Sequence, residues 1–260
     1  MRIIALLVLT GALEAAAEAP PSERLEDMAK LPREARRQWV QTHPREELAG
    51  LFARASSETL LETGRKSADA LDTYAARLVK TERVSGKLLP AQTLKIQVRL
   101  APMAVRMDYV AGPAKGRRVL YDATLKKHEI FVREAGFLGA VALWIGIDSG
   151  LAKGDTNHVT TDLTFSAIIR RMEDAFGQAR PLGGYARKDE GLDAKGRYCA
   201  TFTAPPGGRH LYATRARLCI DPVWALPVLV EVDDAQGPLE RLELDALESP
   251  VKSDFSPDSI

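Results

Sequence analysis

The four histidines are the residues of this sequence best suited to metal or acid–base chemistry, and their spacing favours neither. They stand at positions 43, 128, 158 and 210, far apart and in unlike surroundings. None forms a metal-ligand spacing with a second histidine, a cysteine or an acid. We therefore expect no metal, no cofactor and no catalytic residues in this protein.

His158 is nevertheless the most plausible polar site, because it follows Asn157 in a predicted turn. This pair could cap the following segment or hold the head group of a ligand, and capping is the more common role. With Asp148 and Ser149, His158 also supplies the residue types of a hydrolase triad, although the sequence does not show that the three meet. The stretch Gly112–Gly116 has the composition of a phosphate loop, but its place between two strands favours a hairpin turn.

The two cysteines, Cys199 and Cys219, are predicted to form a disulfide if the protein is exported. In the strand patterns around them, each sulfur falls on the polar face, opposite the apolar side chains. A cross-strand bond is reasonable in that geometry and would stabilise the fold by about 3 kcal/mol. Two unpaired thiols are the alternative.

Residues 1–17 have the form of a cleavable secretory signal peptide. Arg2 supplies the positive charge, an apolar segment runs from Ile3 to Leu13, and Ala15–Ala17 is a small-residue cleavage site. The apolar segment is shorter than the roughly 20 residues that span a bilayer, and a short buried helix is the alternative. No cysteine lies at the cleavage site for lipid attachment, so we expect a soluble periplasmic protein.

The charge composition gives no reason to expect nucleic-acid binding, because 36 basic and 35 acidic residues leave a net charge of +1. Basic residues do follow the polar faces of predicted strands. Such a face could touch an anionic membrane surface, although a solvated outer face is the ordinary explanation. The residues in question are Lys95, Arg99, Arg106, Arg215 and Arg217.

The stretch from Tyr74 to Tyr121 is the centre of the predicted fold. Apolar residues alternate with charged ones over 94–100 and again over 105–109, a period of two that marks half-buried antiparallel strands. Two such strands and a Gly/Pro-rich turn form a curved sheet with one apolar face. The side chains predicted to line a ligand cavity on that face are Leu94, Ile96, Val98, Leu100, Val105, Met107, Tyr109, Val119 and Tyr121.

Helical segments are predicted on both sides of this stretch. Residues 18–70 form an N-terminal helical extension, cut by Pro32 and Pro44, whose last helix is capped at Ser56. The extension either packs at the sheet edge or forms a lid over the apolar face. The segment 137–147 is apolar on all sides and suits a buried helix or a lid. Its lid or plug candidates are Phe137, Leu143, Trp144 and Ile147.

Further along, an amphipathic helix is predicted from Phe165 to Ala179, and strands return after Gly183. Residues 71–248 are thus expected to form one α+β domain. Residues 249–260 form a polar tail that we expect to be loosely ordered.

A family resemblance is carried by a set of residues in fixed order and spacing, over about 57–255. The set comprises Tyr74–Glu82, Gly86–Leu88 with Pro90, Arg99–Pro102, Tyr109, Pro113, Gly116–Tyr121, Ile220–Pro222, Leu226–Pro227 and Asp233–Gly237. It resembles the LolA-like superfamily, the periplasmic carriers of outer-membrane lipoproteins. More closely it resembles the bacterial family catalogued as domain of unknown function fifteen-seventy-one.

The resemblance implies a curved antiparallel sheet that forms an incomplete β-barrel, a half-barrel with helices on its concave apolar side. In the carriers this cavity takes acyl chains, and an arginine inside it helps to fasten the lid. Arg99 is the nearest candidate for that arginine. By alternation it faces away from Val98 and Leu100, so the role is not transferred to it.

These observations predict an exported, soluble, monomeric binding protein without enzymatic activity. Its ligand would be a lipid or the acyl chains of a lipoprotein, with transient contacts to the membrane surface or to envelope proteins. The alternative is an envelope sensor or scaffold that binds a protein partner through the same fold and has no ligand cavity.

Overall fold

The computed structural model describes residues 24–136 and 142–260, so the predicted signal peptide and Phe137 lie outside the described residues. The helices are α1 Leu25–Lys30, α2 Arg33–Thr42, α3 Arg45–Arg54, α4 Ser57–Asp69 and α5 Phe165–Ala179. None of these helices is both long enough and apolar enough to cross a membrane. The strands are β1 Thr73–Val84, β2 Lys87–Leu88, β3 Gln92–Arg99, β4 Ala104–Ala111, β5 Arg118–Asp122, β6 Glu129–Arg133, β7 Ala142–Gly146, β8 Ala186–Leu192, β9 Tyr198–Thr203, β10 Arg215–Asp221, β11 Leu226–Asp234 and β12 Gly237–Glu248.

These strands form one antiparallel sheet in the order β7-β6-β5-β4-β3-β1-β12-β11-β10-β9-β8, with β2 paired to β1 alone. The central strand β1 lies between β3 and β12. Among the described strands, β7 and β8 each have one neighbour, so the sheet stays open. The predicted fold class, an α+β incomplete barrel with an N-terminal helical segment, is confirmed.

One face of the sheet is mostly apolar. Leu78 of β1 stands directly opposite Leu94 of β3, and Ala76 stands opposite Ile96. All four side chains are buried in the main core. We call the face that carries Leu78 and Leu94 the inner face and the opposite one the outer face. The alternation of the sequence therefore becomes a two-sided sheet.

The helices pack against the inner face. The ring of Phe52 in α3 stacks on Tyr198 of β9 at 5.0 Å between centroids. The next helix, α4, begins after Ser56, whose hydroxyl accepts a hydrogen bond from the backbone N–H of Thr59 at 3.1 Å, and it contacts α5 and β11. Since buried side chains of α1, α3 and α4 belong to the main core, the described part of the extension is a packing layer.

The segment 142–146 is an edge strand, so the helix expected over 137–147 is wrong in this part. It pairs with β6, with Ile145 opposite Ile130 and Trp144 opposite Phe131. A short apolar run fits a buried helix and a strand equally well by periodicity. The pairing with β6, which periodicity does not reveal, decides between them.

The C-terminal tail lies against the outer face and is not loose. Phe255 and Ile260 are buried against Ala104 and Leu120. Arg106 donates a hydrogen bond to the hydroxyl of Ser259 at 3.0 Å. Phe255 and Ile260 of a mostly polar tail thus cover apolar residues that β4 and β5 turn outward.

The predicted disulfide is confirmed. Cys199 of β9 stands directly opposite Cys219 of β10, and their sulfurs are bonded. Both residues are buried against Leu229 of β11, on the face opposite Leu218 and Ala200, as the alternation predicted. The bond ties together two neighbouring strands far from the sheet centre.

Candidate ligand-binding site

The residues predicted to line a cavity form one continuous patch on the inner face. Across β3 and β4, Ile96 stands opposite Met107 and Val98 opposite Val105, and Met107 stands opposite Val119 in β5. Leu100 and Tyr121 are half-buried and pack against the core, whereas the other members are buried within it. The patch is therefore covered by other parts of the chain.

The cover is not formed by the predicted lid candidates. Leu143 is 58% exposed, and Trp144 lies on the outer face, where its ring meets Phe131 and the ammonium of Lys126. Ile147 is half-buried and packs against the core, while Phe137 lies outside the described residues. The inner face is covered instead by the irregular segment 147–164 and by α5.

A small apolar cavity, the α5 cavity, lies between α5 and strands β9–β12. Its volume is about 50 Å³. The ring of Phe176 in α5 contacts Tyr185 and Phe202, each with centroids 5.2 Å apart. The lining residues are Ile168, Arg171, Met172, Ala175, Phe176, Tyr185, Phe202, Tyr212, Ala213, Ala216, Arg217, Leu218, Val230, Val232 and Glu240.

A second cavity, the loop cavity, lies between β4–β7 and the segment 151–163. Its volume is about 30 Å³. Met107, Tyr109 and Val119 of the predicted set line it, and so do Lys80 and His158. Both cavities are small compared with sites for drug-sized ligands, which measure about 300–1,000 Å³.

Between the two cavities stands a buried group of charged side chains, which we call the ionic cluster: Lys80, Glu82, His158 and Glu240. Each is exposed by 6% or less. Glu82 of β1 and Glu240 of β12 are directly opposite each other in the register, a placement that is repulsive for two carboxylates. Lys80 Nζ donates to Glu82 Oε2 at 2.5 Å. His158 Nε2 lies 2.5 Å from Glu240 Oε2 and 3.8 Å from Glu82 Oε1.

The ionic cluster attaches the covering segment to the central strand. The hydroxyl of Thr156 donates to Glu82 Oε2 at 2.9 Å, and the backbone N–H of Asn157 donates to Oε1 at 3.1 Å. At the far end of the segment, the backbone N–H of Phe165 donates to the hydroxyl of Tyr74 at 3.1 Å. The cover is therefore tied to β1 by polar contacts at its middle and at its C-terminal end.

The electrostatics of the cluster keep the Glu240 carboxylate charged. Burial by itself would raise the pKa of Glu240, but the hydrogen bond and charge of His158, with the charge of Arg171, hold it below its ordinary value. Burial and the neighbouring Glu240 carboxylate raise the pKa of Tyr212. Glu240 and Tyr212 both line the α5 cavity. The cavity wall therefore includes a negatively charged carboxylate, from Glu240, and a protonated phenol, from Tyr212.

The cluster contains the residue types of a metal site, since ligand atoms of Glu82, His158 and Glu240 lie within 4.8 Å of one another. Both oxygens of Glu82 already accept hydrogen bonds, and Lys80 supplies a positive charge beside them. Lys80 and His158 each lie within hydrogen-bonding distance of one of the two carboxylates. An ion network explains this arrangement fully.

The residues considered as a hydrolase triad do not share hydrogen bonds in the described parts of the chain. The hydroxyl of Ser149 accepts from the backbone N–H of Ala152 at 3.2 Å, and Asp148 pairs with Lys153 at 3.0 Å. His158 is instead engaged by Glu240. Its role is neither the expected cap nor that of a base beside a serine.

The arginines of the outer face are paired with acids. Arg99 faces away from the cavity, as the alternation along β3 predicts. On the outer face it pairs with Asp122. The other pairs are Arg106–Asp108, Arg215–Asp233 and Arg217–Glu190. These pairs leave little free positive charge for a membrane surface, and the exposed residues of the basic set are Lys95 and Arg215.

Comparison with known families identifies the chain. A family model described as "Protein of unknown function (DUF1571)" matches residues 71–246. The protein belongs to this DUF1571 family. The predicted family relationship is thus confirmed, and among curated proteins none matches this DUF1571 member.

Several solved structures are similar to this DUF1571 protein. The lipoprotein LppX of Mycobacterium tuberculosis is 18% identical with a TM-score of 0.44, over 76% of this chain and 100% of that one. LprF of Mycobacterium bovis is 15% identical with a TM-score of 0.41, over 74% and 93%. A LolA superfamily protein of Nitrosomonas europaea is 11% identical with a TM-score of 0.31, over 79% and 100%. Likeness at this level says nothing about ligand or partner.

The ionic cluster is the part of the site that sequence reasoning missed. A signal for it exists, because the alternation that buries Tyr74, Ala76 and Leu78 continues to Lys80 and Glu82. Two charged residues on an apolar face predict buried partners. The identity of those partners depends on the pairing of β1 with β12, which the local sequence does not show.

Proposed function

We propose that this protein is an exported binding protein that holds a hydrophobic ligand, a lipid or the acyl chains of a lipoprotein, between α5 and the inner face. The observation that carries this proposal is the α5 cavity. It is apolar except where Arg171, Tyr212 and Glu240 meet it. Arg217 also borders it, but its guanidinium pairs with Glu190 on the outer face. An apolar pocket with a few convergent polar groups is the usual form of a small-molecule site. The polar groups would contact the head group.

The binding free energy would come from apolar area withdrawn from water, at roughly 25 cal/mol per Å². A 14-carbon chain at about 0.8 kcal/mol per methylene supplies around 10 kcal/mol before the cost of association. No directional chemistry is required along the chain. Binding without directional contacts is consistent with a cavity lined mainly by aromatic and branched apolar side chains.

Ligand entry would require α5 to move, because a cavity of about 50 Å³ is far below the roughly 300 Å³ at the lower end of ligand sites. Movement of the segment 147–164 as well would open the inner-face patch on β3, β4 and β5. The residues predicted from sequence, Leu94 to Tyr121 in alternation, would then join the lining. The protein would bind by displacing its own cover.

Export to the periplasm is part of this proposal. It is supported by the signal-like residues 1–17 and by the disulfide between Cys199 and Cys219. Disulfides persist in oxidising compartments such as the bacterial periplasm and are rare in the cytosol.

A matched pair of alanines tests where the ligand lies. Ala216 lines the α5 cavity and Ala152 lines the loop cavity, and both are half-buried. We expect Ala216→Leu to weaken binding of a fluorescent fatty-acid probe about tenfold, a loss of 1.4 kcal/mol, because it fills the site. Ala152→Leu should leave the affinity unchanged.

Probe affinity measured by fluorescence titration decides between the outcomes. Unchanged affinity in both variants would show that no ligand lies in either cavity. A loss confined to Ala152→Leu would place the ligand under the segment 151–163 and contradict the assignment to α5.

Binding of an envelope protein is the second candidate function, and the small size of both cavities favours it. The open strand β7 offers an edge for a partner, with Leu143 exposed beside it. Native mass spectrometry of protein purified from the envelope separates the two functions. A co-purified lipid supports the carrier, whereas the mass of the chain alone, together with a captured protein, supports the scaffold.

A further inference from the structure

A third cavity lies outside the inner face, where the N-terminal helices meet the end of the sheet. Its volume is about 580 Å³, which is within the usual range of ligand sites. It lies between α1, α2 and α4 on one side and the β10–β11 turn and the residues after β12 on the other. Its lining residues are Glu26, Ala29, Lys30, Arg33, Glu34, Arg36, Glu62, Thr63, Lys66, Ser67, Ala70, Leu71, Trp224, Ser249 and Pro250. We call it the extension cavity.

The acidic residues of the extension cavity already have cationic partners. Glu62 pairs with Lys66 at 2.7 Å and Glu34 pairs with Arg37 at 3.2 Å. Glu26 lies 3.9 Å from Arg24. The negative charge around the cavity is therefore already matched by these three neighbours.

Two arginines of the same cavity have no carboxylate partner among the described residues. The guanidinium of Arg33 lies over the ring of Trp224 at 4.3 Å and donates to the backbone carbonyl of Ser249 at 2.7 Å. Two guanidinium nitrogens of Arg36, Nε and Nη1, are buried and have no hydrogen-bond partner. A buried guanidinium nitrogen without an acceptor is costly, because it has given up water without replacement.

The surroundings of Arg36 leave its charge poorly compensated. Burial lowers its pKa, the charge of Arg33 lowers it further, and Asp221 offsets this in part. Asp221 is itself engaged, since its Oδ1 accepts from the backbone N–H groups of Val223 and Trp224. Charge and hydrogen-bonding capacity thus both favour an incoming anion.

We infer that the extension cavity is an anion site that takes a phosphate group, with Arg36 and Arg33 as its cations. Guanidinium groups match the planar, bidentate geometry of phosphate oxygens. Trp224, Leu71 and Pro250 would contact the less polar remainder of the ligand. The phosphate could belong to free phosphate or to a phospholipid head group, and both offer the same chemistry to the two arginines.

Trp224 provides a local reporter for the test. The chain has three tryptophans, so Trp39→Phe with Trp144→Phe leaves Trp224 alone. Inorganic phosphate is titrated at constant ionic strength, with chloride as the control anion. We expect a saturable change in Trp224 fluorescence.

Arg36→Gln and Arg33→Gln should each weaken phosphate binding about tenfold or more. Arg170→Gln in α5 is the control and should leave binding unchanged, because Arg170 is exposed and does not line the cavity.

Thermal unfolding of the same variants, on the otherwise unchanged chain, gives a second readout. Phosphate should raise the Tm of the unsubstituted protein, since it binds the folded state alone. Arg36→Gln should raise the Tm without phosphate, because it removes a poorly compensated charge, and should abolish the response to phosphate. Equal responses in Arg36→Gln and Arg170→Gln, or no phosphate response in the unsubstituted protein, would overturn the proposal.

Vesicles distinguish the two sources of phosphate. Flotation with vesicles of phosphatidylcholine plus phosphatidic acid, lost in Arg36→Gln and retained in Arg170→Gln, supports a lipid head group at this site. Saturable phosphate binding without flotation supports free phosphate at the same site. Flotation that is insensitive to Arg36→Gln, with no phosphate titration, rejects the site.

Discussion

At the scale of single residues, the ionic cluster is the feature with the largest expected energetic effect. Glu82 and Glu240 face each other across β1 and β12 inside an otherwise apolar layer. Lys80 donates a hydrogen bond to Glu82, and His158 lies within hydrogen-bonding distance of Glu240. Removing one partner of a buried pair leaves an uncompensated charge, whereas replacing both with apolar residues can be nearly neutral.

A double-mutant cycle on His158 and Glu240 tests this account. We expect His158→Leu and Glu240→Leu each to lower the free energy of unfolding by about 3–5 kcal/mol. The double variant should lose clearly less than the sum, because neither charge is then left alone. Urea unfolding measures all three.

The exposed pair Lys126–Glu129 serves as a control for this cycle. Lys126→Leu should cost no more than about 1 kcal/mol. If the double variant lost as much unfolding free energy as the two single variants together, His158 and Glu240 would not be energetically coupled.

At the scale of elements, α5 and β7 show why some segments are predictable and others are not. The bounds of α5 match the prediction from Phe165 to Ala179, since its apolar residues recur at helical spacing and Thr164 caps it through its side chain. All of this information is local. The strand β7 is apolar on both faces, and only its pairing with β6 distinguishes it from a helix.

Alanine substitutions at two glycines are expected to change the free energy of unfolding in opposite directions. A Cβ on Gly177, exposed in α5, would meet nothing within 4 Å, so Gly177→Ala should raise the free energy of unfolding by about 0.5–1 kcal/mol. A Cβ on Gly112, in the β4–β5 turn, would lie 2.6 Å from the carbonyl oxygen of Ala91, at a φ of +95°. Gly112→Ala should therefore destabilise.

Denaturant unfolding of the two variants provides the measurement. A decrease for Gly177→Ala would show that this position of α5 is not helical in solution. A neutral result for Gly112→Ala would contradict the close backbone approach in the turn.

At the scale of the whole molecule, ion pairs cover the outer face of the second half of the sheet. Glu243 of β12 accepts hydrogen bonds from Lys195, Arg197 and Arg241 at 2.5–2.8 Å. Burial alone would raise its pKa, but these three hydrogen bonds lower it to about 2. The charged form of Glu243 is therefore favoured by the folded state.

This depressed pKa predicts acid sensitivity. A carboxyl group whose pKa is lower in the folded state stabilises the fold above its unfolded pKa and loses that contribution as the pH falls. For Glu243 the window runs from the ordinary value of 4.5 down to about 2. Thermal unfolding should show a falling Tm across this window, and Glu243→Gln should flatten part of the decrease. A Tm that rises or stays constant on acidification would contradict the prediction.

The half-barrel and the disulfide could be predicted from sequence because both depend on strand alternation. Leu94 to Leu100 and Cys199 with Cys219 each have their face fixed by a period of two. The cover of the inner face could not be predicted from sequence, because the segment 147–164 has no periodic pattern. The residues that hold this segment in place, Tyr74 and Glu82, lie on a strand far away in the sequence. The extension cavity depends likewise on contacts between α2 and the far end of the sheet.

The two free edges of the sheet differ in their tendency to self-associate. The edge strand β8 carries Arg187, Lys188, Asp189 and Glu190, and charged edges discourage a second sheet from adding to them. The edge strand β7 reads Ala-Leu-Trp-Ile-Gly and has no charged side chain. Concentrated solutions should therefore aggregate through β7, and a lysine in place of Leu143 is the smallest change that would guard against it.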